Sequence, residues 1–231
     1  MRVFAIGDLH LEGGTGKTMD RFGDIWIGHD RKIFEAWDRI GSHDDLLILA
    51  GDTTWAANLE AAIPDLQRIG RMKGRKIIIK GNHDYWWETK SKLLRVLPPG
   101  IEPLQSDALV VGCVAIAATR GWTCSGSDEF SEEDQKIYER EVGRLRLALE
   151  RLAARKTDYD SLIVALHYPP TNGAKDPSDF TKLIDEVKAD ACVYGHLHGE
   201  WTRDGLTGKH GSTTYHLVSA DFVNFTPARI L

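Results

Sequence analysis

Five apolar runs in this sequence end in residues that bind metals or move protons. Residues 3–6 lead into Gly7-Asp8-Leu9-His10, and residues 46–50 into Gly51-Asp52. Residues 76–80 lead into Gly81-Asn82-His83-Asp84, 161–166 into His167, and 191–194 into Gly195-His196-Leu197-His198. Carboxylate, amide oxygen and imidazole are donors suited to divalent manganese, iron or zinc. A glycine at a strand end lets the backbone turn sharply and approach a ligand closely. In α/β sheets, sites form at the carboxyl ends of the strands. Each block alone has a plain structural meaning. Gly-Asp is a common turn, Asp84 could cap a helix starting near Trp86, and a lone histidine is often hydrogen-bonded core. It is their joint occurrence, each time after an apolar run, that points to a metal site. Five of the nine histidines fall in these blocks, while His29, His43, His210 and His216 do not and are read as surface or core.

A second phosphate-binding signal lies in the first block. Gly16-Lys17-Thr18 fits the second half of a P-loop, G-x-x-x-x-G-K-[ST]. The first glycine of that pattern would fall at position 11, which is Leu11. A side chain there crowds the turn, so the stretch reads as a polar loop leaving the metal ligands, with Lys17 at most reaching the rim of the site.

The elements that must carry these residues alternate short Val/Ile-rich runs with helical patterns, which indicates an α/β fold with buried strands. Strands are expected at 2–6, 46–50, 76–80, 108–117 (one long strand), 161–166, 191–194 and 214–219. Helices are expected at about 30–40, 59–72, 87–97, 131–155 and 179–189. In the fourth, Tyr138, Val142, Leu145, Leu149 and Leu152 recur at steps of four and three, and Ser131 with Asp134 reads as its cap.

The chain has 231 residues, 42% hydrophobic, enough for a sizeable core in one domain. No apolar run is long enough to span a membrane. A net charge of −5 disfavours strong binding to a nucleic-acid backbone. Cys113, Cys124 and Cys192 show no paired spacing, which fits reduced thiols and a cytoplasmic location.

Asp8-x-His10, Gly51-Asp52, Gly81-Asn82-His83-Asp84, His167 and Gly195-His196-x-His198 together, in this order, resemble the calcineurin-like metallophosphoesterase superfamily in its small, bacterial-type form. The resemblance spans residues 8 to 198. It implies a four-layer α/β/β/α sandwich with two mixed β-sheets. It also implies two divalent ions, manganese foremost with iron or zinc as alternatives. Asp8, His10, Asp52 and His198 would hold one ion; Asp52, Asn82, His167 and His196 would hold the other. His83 would face the scissile phosphate, with Asp84 orienting it and stabilising its charge. The implied reaction is hydrolysis of a small phosphate mono- or diester by in-line attack of a metal-bridging hydroxide. A non-catalytic metal-binding scaffold on the same fold is the alternative.

The sequence departs from the protein Ser/Thr phosphatases of that superfamily. Thr53-Thr54-Trp55 follows Asp52 in the region where they carry Asp-Arg-Gly. Arg120 is the candidate substitute cation for phosphate, with pairing to Asp128 or Glu129 as its structural alternative. Tyr85-Trp86-Trp87 reads as a core anchor at a helix start, and residues 119–135 as a lid or specificity loop.

Overall fold

Side chains along the central strands alternate between two apolar environments, and this alternation builds the fold. The structure is a computed structural model that describes residues 1–127, 130–155 and 157–231. In β1 (Val3–Ile6), Val3 and Ala5 enter one core while Phe4 and Ile6 enter another. In β2 (Leu46–Leu49), Leu46 and Ile48 separate from Leu47 and Leu49 in the same way. β3 (Arg75–Ile78) repeats the pattern with Ile77 against Ile78. These strands, with β4 (Ile101–Pro103) and β11 (Ala228–Arg229), form a five-stranded sheet in the order β11-β1-β2-β3-β4. Only the β11–β1 pairing in it is antiparallel.

The second sheet has six strands, ordered β5-β6-β7-β8-β10-β9. They are β5 (Asp107–Val111), β6 (Val114–Ala118), β7 (Ser161–Ala165), β8 (Ala191–Tyr194), β9 (Gly208–His210) and β10 (Thr213–Leu217). Ile116, Ile163 and Val193 join Val3, Ile48 and Ile77 in one core between the sheets. Ala117, Val164 and Cys192 face the other way. Period-two burial on both faces is what a sheet buried on both sides requires.

Helices cover the outer faces. Ile33 and Trp37 of α1 (His29–Ile40) and Leu66 and Ile69 of α2 (Leu59–Gly70) pack on the first sheet. Leu145, Leu149 and Leu152 of α4 (Glu132–Ala154) and Phe180 and Ile184 of α5 (Asp179–Glu186) pack on the second. The result is an α/β/β/α sandwich. Ser131 and Asp134 form the expected capping box on α4. No helix among the described residues is long and apolar enough to cross a membrane, and all three cysteines are free thiols.

Two expectations are corrected. Residues 108–117 are not one strand: β5 and β6 are antiparallel, with Val111 opposite Val114 and a tight turn at Gly112-Cys113. Gly112 takes φ 59°, which glycine supplies without strain. The helix expected over 87–97 shrinks to α3 (Lys90–Leu93). Trp87 N–H bonds the Asp84 carbonyl at 3.1 Å and the Trp86 indole bonds the Asp84 carboxylate at 2.8 Å, so 84–87 is a turn.

Asp45 ties the starts of β1 and β2 together. It is 3% exposed and accepts from the Arg2 backbone and guanidinium and from Ser42 N–H and O–H. The Arg2 hydrogen bonds hold its carboxyl well below the usual carboxylate range. That stabilisation is complete above the unfolded-chain pKa of about 4 and fades as pH falls towards the depressed folded value. Denaturant titration of Asp45→Asn should show a loss of roughly 1–3 kcal/mol at pH 7, and the gap to wild type should narrow below pH 4.

Candidate metal centre

Because the central strands of each sheet run parallel, their carboxyl ends collect on one side, and the two sheets are stitched together there. Gly7 N–H donates to the Val218 carbonyl at 2.7 Å, and His196 N–H to Asp8 Oδ2 at 3.0 Å. His167 Nδ1 lies 2.9 Å from the Ala50 carbonyl. All five motif blocks, though scattered in sequence, thus meet in one place.

The backbone at these strand ends is unusual. Asp8, His10, Asp52 and His196 have φ of 58°, 42°, 50° and 73°. Non-glycine residues rarely adopt this left-handed conformation, and where they do the strain often sits at a functional site. The glycines have steric reasons. A Cβ on Gly81 would lie 2.0 Å from Asp52 Oδ1, one on Gly195 2.3 Å from Asp8 Oδ2, and one on Gly51 2.4 Å from His167 Nδ1. The ligand candidates fill the space where side chains would otherwise be.

The donor atoms converge in two groups. Asp8, His10 and His198 place one donor each within 4.8 Å of one another, and so do Asp8, Asp52 and His167. Asp52 Oδ2 lies 3.7 Å from His10 Nε2 and 3.6 Å from His167 Nε2. Asn82 Oδ1 lies 2.7 Å from His167 Nε2 and 3.1 Å from His196 Nδ1. A neutral His167 that donates Nδ1–H to the Ala50 carbonyl turns its Nε2 lone pair towards the Asn82 and Asp52 oxygens. Asp8 Oδ1 and His10 Nδ1 are buried with no hydrogen-bond partner. Lone pairs facing one another in a buried space, with an orphaned carboxylate oxygen, fit bound cations.

The ionisation of these groups is set by burial and by one another's charges. Burial opposes ionisation of Asp8, but the nearby His198, with His167 and His10 adding to it, outweighs burial and holds the carboxyl below its ordinary range. Burial pushes Asp52 up to about 7, with His167 opposing and Asp84 and Asp8 adding to the rise. Burial lowers His196 to about 3 and His10 well below its usual value, which keeps both imidazoles neutral as ligands require. For His198 burial works downward, but Asp8 and Asp221 overcome it and raise the pKa to about 10.

Sequence reasoning missed Asp221, which accepts from His198 Nδ1 at 2.8 Å and from Gly199 N–H at 2.8 Å. A carboxylate behind a ligand histidine fixes its tautomer and aims the other nitrogen, and His198 Nε2 points at Asp8 Oδ1, 3.4 Å away. The available signal was that Asp221 follows the last expected strand, as the other blocks follow theirs. Aromatic packing around the ligands was also missed. Trp55 stacks on His10 at 4.5 Å, Trp26 meets His198 edge-on at 5.5 Å, and Tyr168 lies 4.1 Å from His196.

Several expectations change. Asp84 does not hydrogen-bond the His83 ring, because its carboxylate accepts instead from the N–H groups of Gly81, Asp52 and Thr53 and from the Trp86 indole. It pins the Asn82-His83 loop to the Asp52 turn, while its negative charge still favours a proton on His83. The His83 ring packs beside Trp55 at 4.8 Å, and its backbone N–H donates to Asp52 Oδ1 at 2.8 Å. Arg120 is 3.8 Å from Glu141 and lies over Trp122 at 4.5 Å. It does not line the cleft over His83, and Asp128 and Glu129, its expected partners, lie outside the described residues. Trp86 is core, as expected, whereas Tyr85 is exposed and meets His83 edge-on at 6.1 Å. In the first block Leu11 is buried and residues 13–16 form a turn with no α-helix following, so the P-loop reading fails. Lys17 Nζ sits 5.4 Å over Trp55, at the rim. His29 is buried with its ring nitrogens against the Trp26 and Leu9 carbonyls, and it joins neither donor group.

Four of the donors, His10, Asp52, His196 and His198, line a cleft of about 730 Å³ together with His83. A second cleft shares His196 and is walled by Thr123, Cys124, Gly126 and Ser127 from the expected 119–135 loop. Residues 128 and 129 of that loop lie outside the described residues.

The sequence profile of the calcineurin-like phosphoesterases matches residues 1–200. No curated protein matches the chain in sequence. Among solved structures, phosphopantetheinyl hydrolase from Mycobacterium tuberculosis shares the fold at 18% identity and a TM-score of 0.56, over 100% of this chain and 95% of that one. A protein of unknown function from Aquifex aeolicus is 16% identical with a TM-score of 0.54, over 99% and 95%. This chain belongs to the calcineurin-like phosphoesterase family.

Gly81→Ala should force Asp52 to move. Calorimetric titration with Mn²⁺ should show affinity reduced by about tenfold or more, the scale seen when ligand-orienting contacts are lost, with the far-ultraviolet circular dichroism of the fold retained.

Proposed function

We propose that this calcineurin-like phosphoesterase, as one domain over residues 1–231, hydrolyses a small phosphate mono- or diester with two divalent ions. Asp8, His10, Asp52 and His198 would hold one ion, and Asp52, Asn82, His167 and His196 the other. The observation that carries this reading is the position of Asp52. One carboxylate oxygen lies nearly equidistant from a histidine of each set, the place a shared ligand must occupy. Manganese is the first candidate, with iron and zinc suited to the same donors. When bound, the ions supply positive charge for the phosphoryl oxygens and a water of lowered pKa.

The chain's own residues do the rest. Asp8 and Asp52 offset part of the metal charge, leaving the site net positive within an acidic protein. Asp84 fixes the loop that carries Asn82 and His83. Burial is the main cause that lowers the His83 pKa, helped by His167 and opposed by Asp84 and Asp8. That makes His83 a stronger acid once protonated, and an arriving phosphate anion favours the proton. As the water oxygen bonds phosphorus, the ester P–O bond breaks. The leaving alkoxide takes a proton from the His83 ring, which regains one from solvent. Of the segment 119–135, whose residues 132–135 begin α4, the part before the helix is assigned to substrate selection, because Thr123, Cys124, Gly126 and Ser127 wall the second cleft beside His196.

Asp52→Asn should lower metal content and activity together, read by elemental analysis and by hydrolysis of an aryl phosphate. His83→Ala should keep both metals and lose about two or more orders of magnitude in kcat. Near-normal turnover in the His83 variant would contradict this mechanism. An absence of metal-dependent turnover across monoesters, diesters, nucleotides and a phosphopantetheine ester would favour a non-catalytic scaffold.

A further inference from the structure

Only part of the cleft is lined by metal donors and His83. Phe22, Ile25, Trp201 and Phe222 also line it, and they are 63%, 52%, 58% and 46% exposed. They are four of the ten large hydrophobic side chains exposed among the described residues, so apolar surface is concentrated at this one place. Buried Met19 and Trp26 continue the apolar lining down to the histidines. An exposed apolar cluster continuous with a polar reaction centre marks a binding site with two chemistries.

The charges narrow the ligand further. Beyond the candidate ligands and His83, the charged side chains on this lining are Glu200 and Asp221, both acidic. Among the described residues, this lining holds no lysine or arginine to receive a second phosphate. Arg120, the cation expected in that role, is held by Glu141 and Trp122 elsewhere. Apart from Lys17 at the rim, over Trp55, a polyanionic substrate would find one cationic point, the metal site, and acidic or apolar walls around it. The volume also exceeds what a phosphoryl group fills and falls within the range of whole-ligand pockets.

Resting on the reading above, in which the donors form a hydrolytic metal site, we propose that the substrate carries a single phosphate esterified to a bulky apolar alcohol. The apolar group packs among Phe22, Ile25, Trp201 and Phe222 while the phosphate meets the metal donors and His83. Hydrolysis breaks one ester P–O bond, to the apolar alcohol in a monoester or to either alcohol in a diester; the water oxygen bonds phosphorus, and the released alcohol leaves with its proton. The four side chains are then specificity-determining residues: they bind the organic group and act on no reacting atom.

The test is a chain-length series on the manganese-loaded enzyme. Ethyl, butyl and octyl phosphates are followed by phosphate release, and the same alkyl groups as alkyl p-nitrophenyl phosphates are followed by nitrophenolate release. The leaving groups differ little in reactivity within each series, so the trend reports binding of the alkyl chain. Wild type should show kcat/KM rising by about tenfold or more from ethyl to octyl in at least one series, given the free energy of burying each methylene. In Trp201→Ala and in the Phe22→Ala/Phe222→Ala double variant, the octyl-to-ethyl ratio should fall by at least about fivefold, as expected for losing aromatic contact area. Octylphosphonate should also bind wild type more tightly than ethylphosphonate by calorimetry, and the variants should narrow that difference. A flat series in a wild type that turns over every ester would overturn the proposal and leave the hydrolase reading intact. No turnover of any ester would sink both. A flat series together with a concentration-dependent dimer that the Trp201 variant abolishes would assign the surface to a second copy of the chain and also overturn the proposal.

Discussion

Three carboxylates, Asp8, Asp52 and Asp84, are buried to within 2% of complete exclusion from solvent at the junction of the two sheets. Burying charge is costly unless it is paired or hydrogen-bonded, and the three are satisfied in different ways. Asp84 receives four hydrogen bonds from backbone and indole N–H groups. Asp52 receives one, on Oδ1, and turns its other oxygen to two histidines. Asp8 accepts from His196 N–H on one oxygen, while the other faces His198 without a hydrogen bond. Asp84 therefore needs no further partner, whereas Asp52 and Asp8 each present an oxygen to imidazole nitrogens and to the space between them. A fold that keeps such a cluster buried calls for positive charge in that space.

The sandwich exists to hold this junction. Alternating burial along β1, β2, β3, β6, β7 and β8 sets the two sheets face to face, and parallel pairing brings their carboxyl ends to one side. The chain then accepts left-handed backbone at four candidate ligands and leaves no room for a Cβ at three glycines. Those local costs are borne by a packed double-sheet core, which over-determines the turns.

The strand ends were legible because each combines a short apolar run with a glycine or a ligand type at a fixed offset, and that signal is local. The helices with clear apolar periodicity, α1, α2, α4 and α5, were legible for the same reason. What was not legible depends on distant contacts. β4 is a three-residue edge strand ending in Pro103, β9 is fully exposed, and β11 is two residues paired to β1, so none carries a periodic pattern. The β5–β6 turn at Gly112-Cys113 hides inside a continuous apolar run. Arg120 looked available because its partner Glu141 is 21 positions away, on the buried face of α4. Asp221 is joined to His198 only by the closure of the second sheet. The apolar side of the cleft is drawn from residues near 22, 201 and 222, and no window of sequence brings these together.

The central claim is that Asp52 is shared between two ions held by the two halves of the cluster. Electron paramagnetic resonance of the protein titrated with Mn²⁺ tests it most directly, since ions bridged by one carboxylate are magnetically coupled. The account predicts that a second equivalent per chain converts the isolated six-line signal into a spin-coupled one. Saturation at one ion per chain, or two ions with independent six-line spectra, would contradict it.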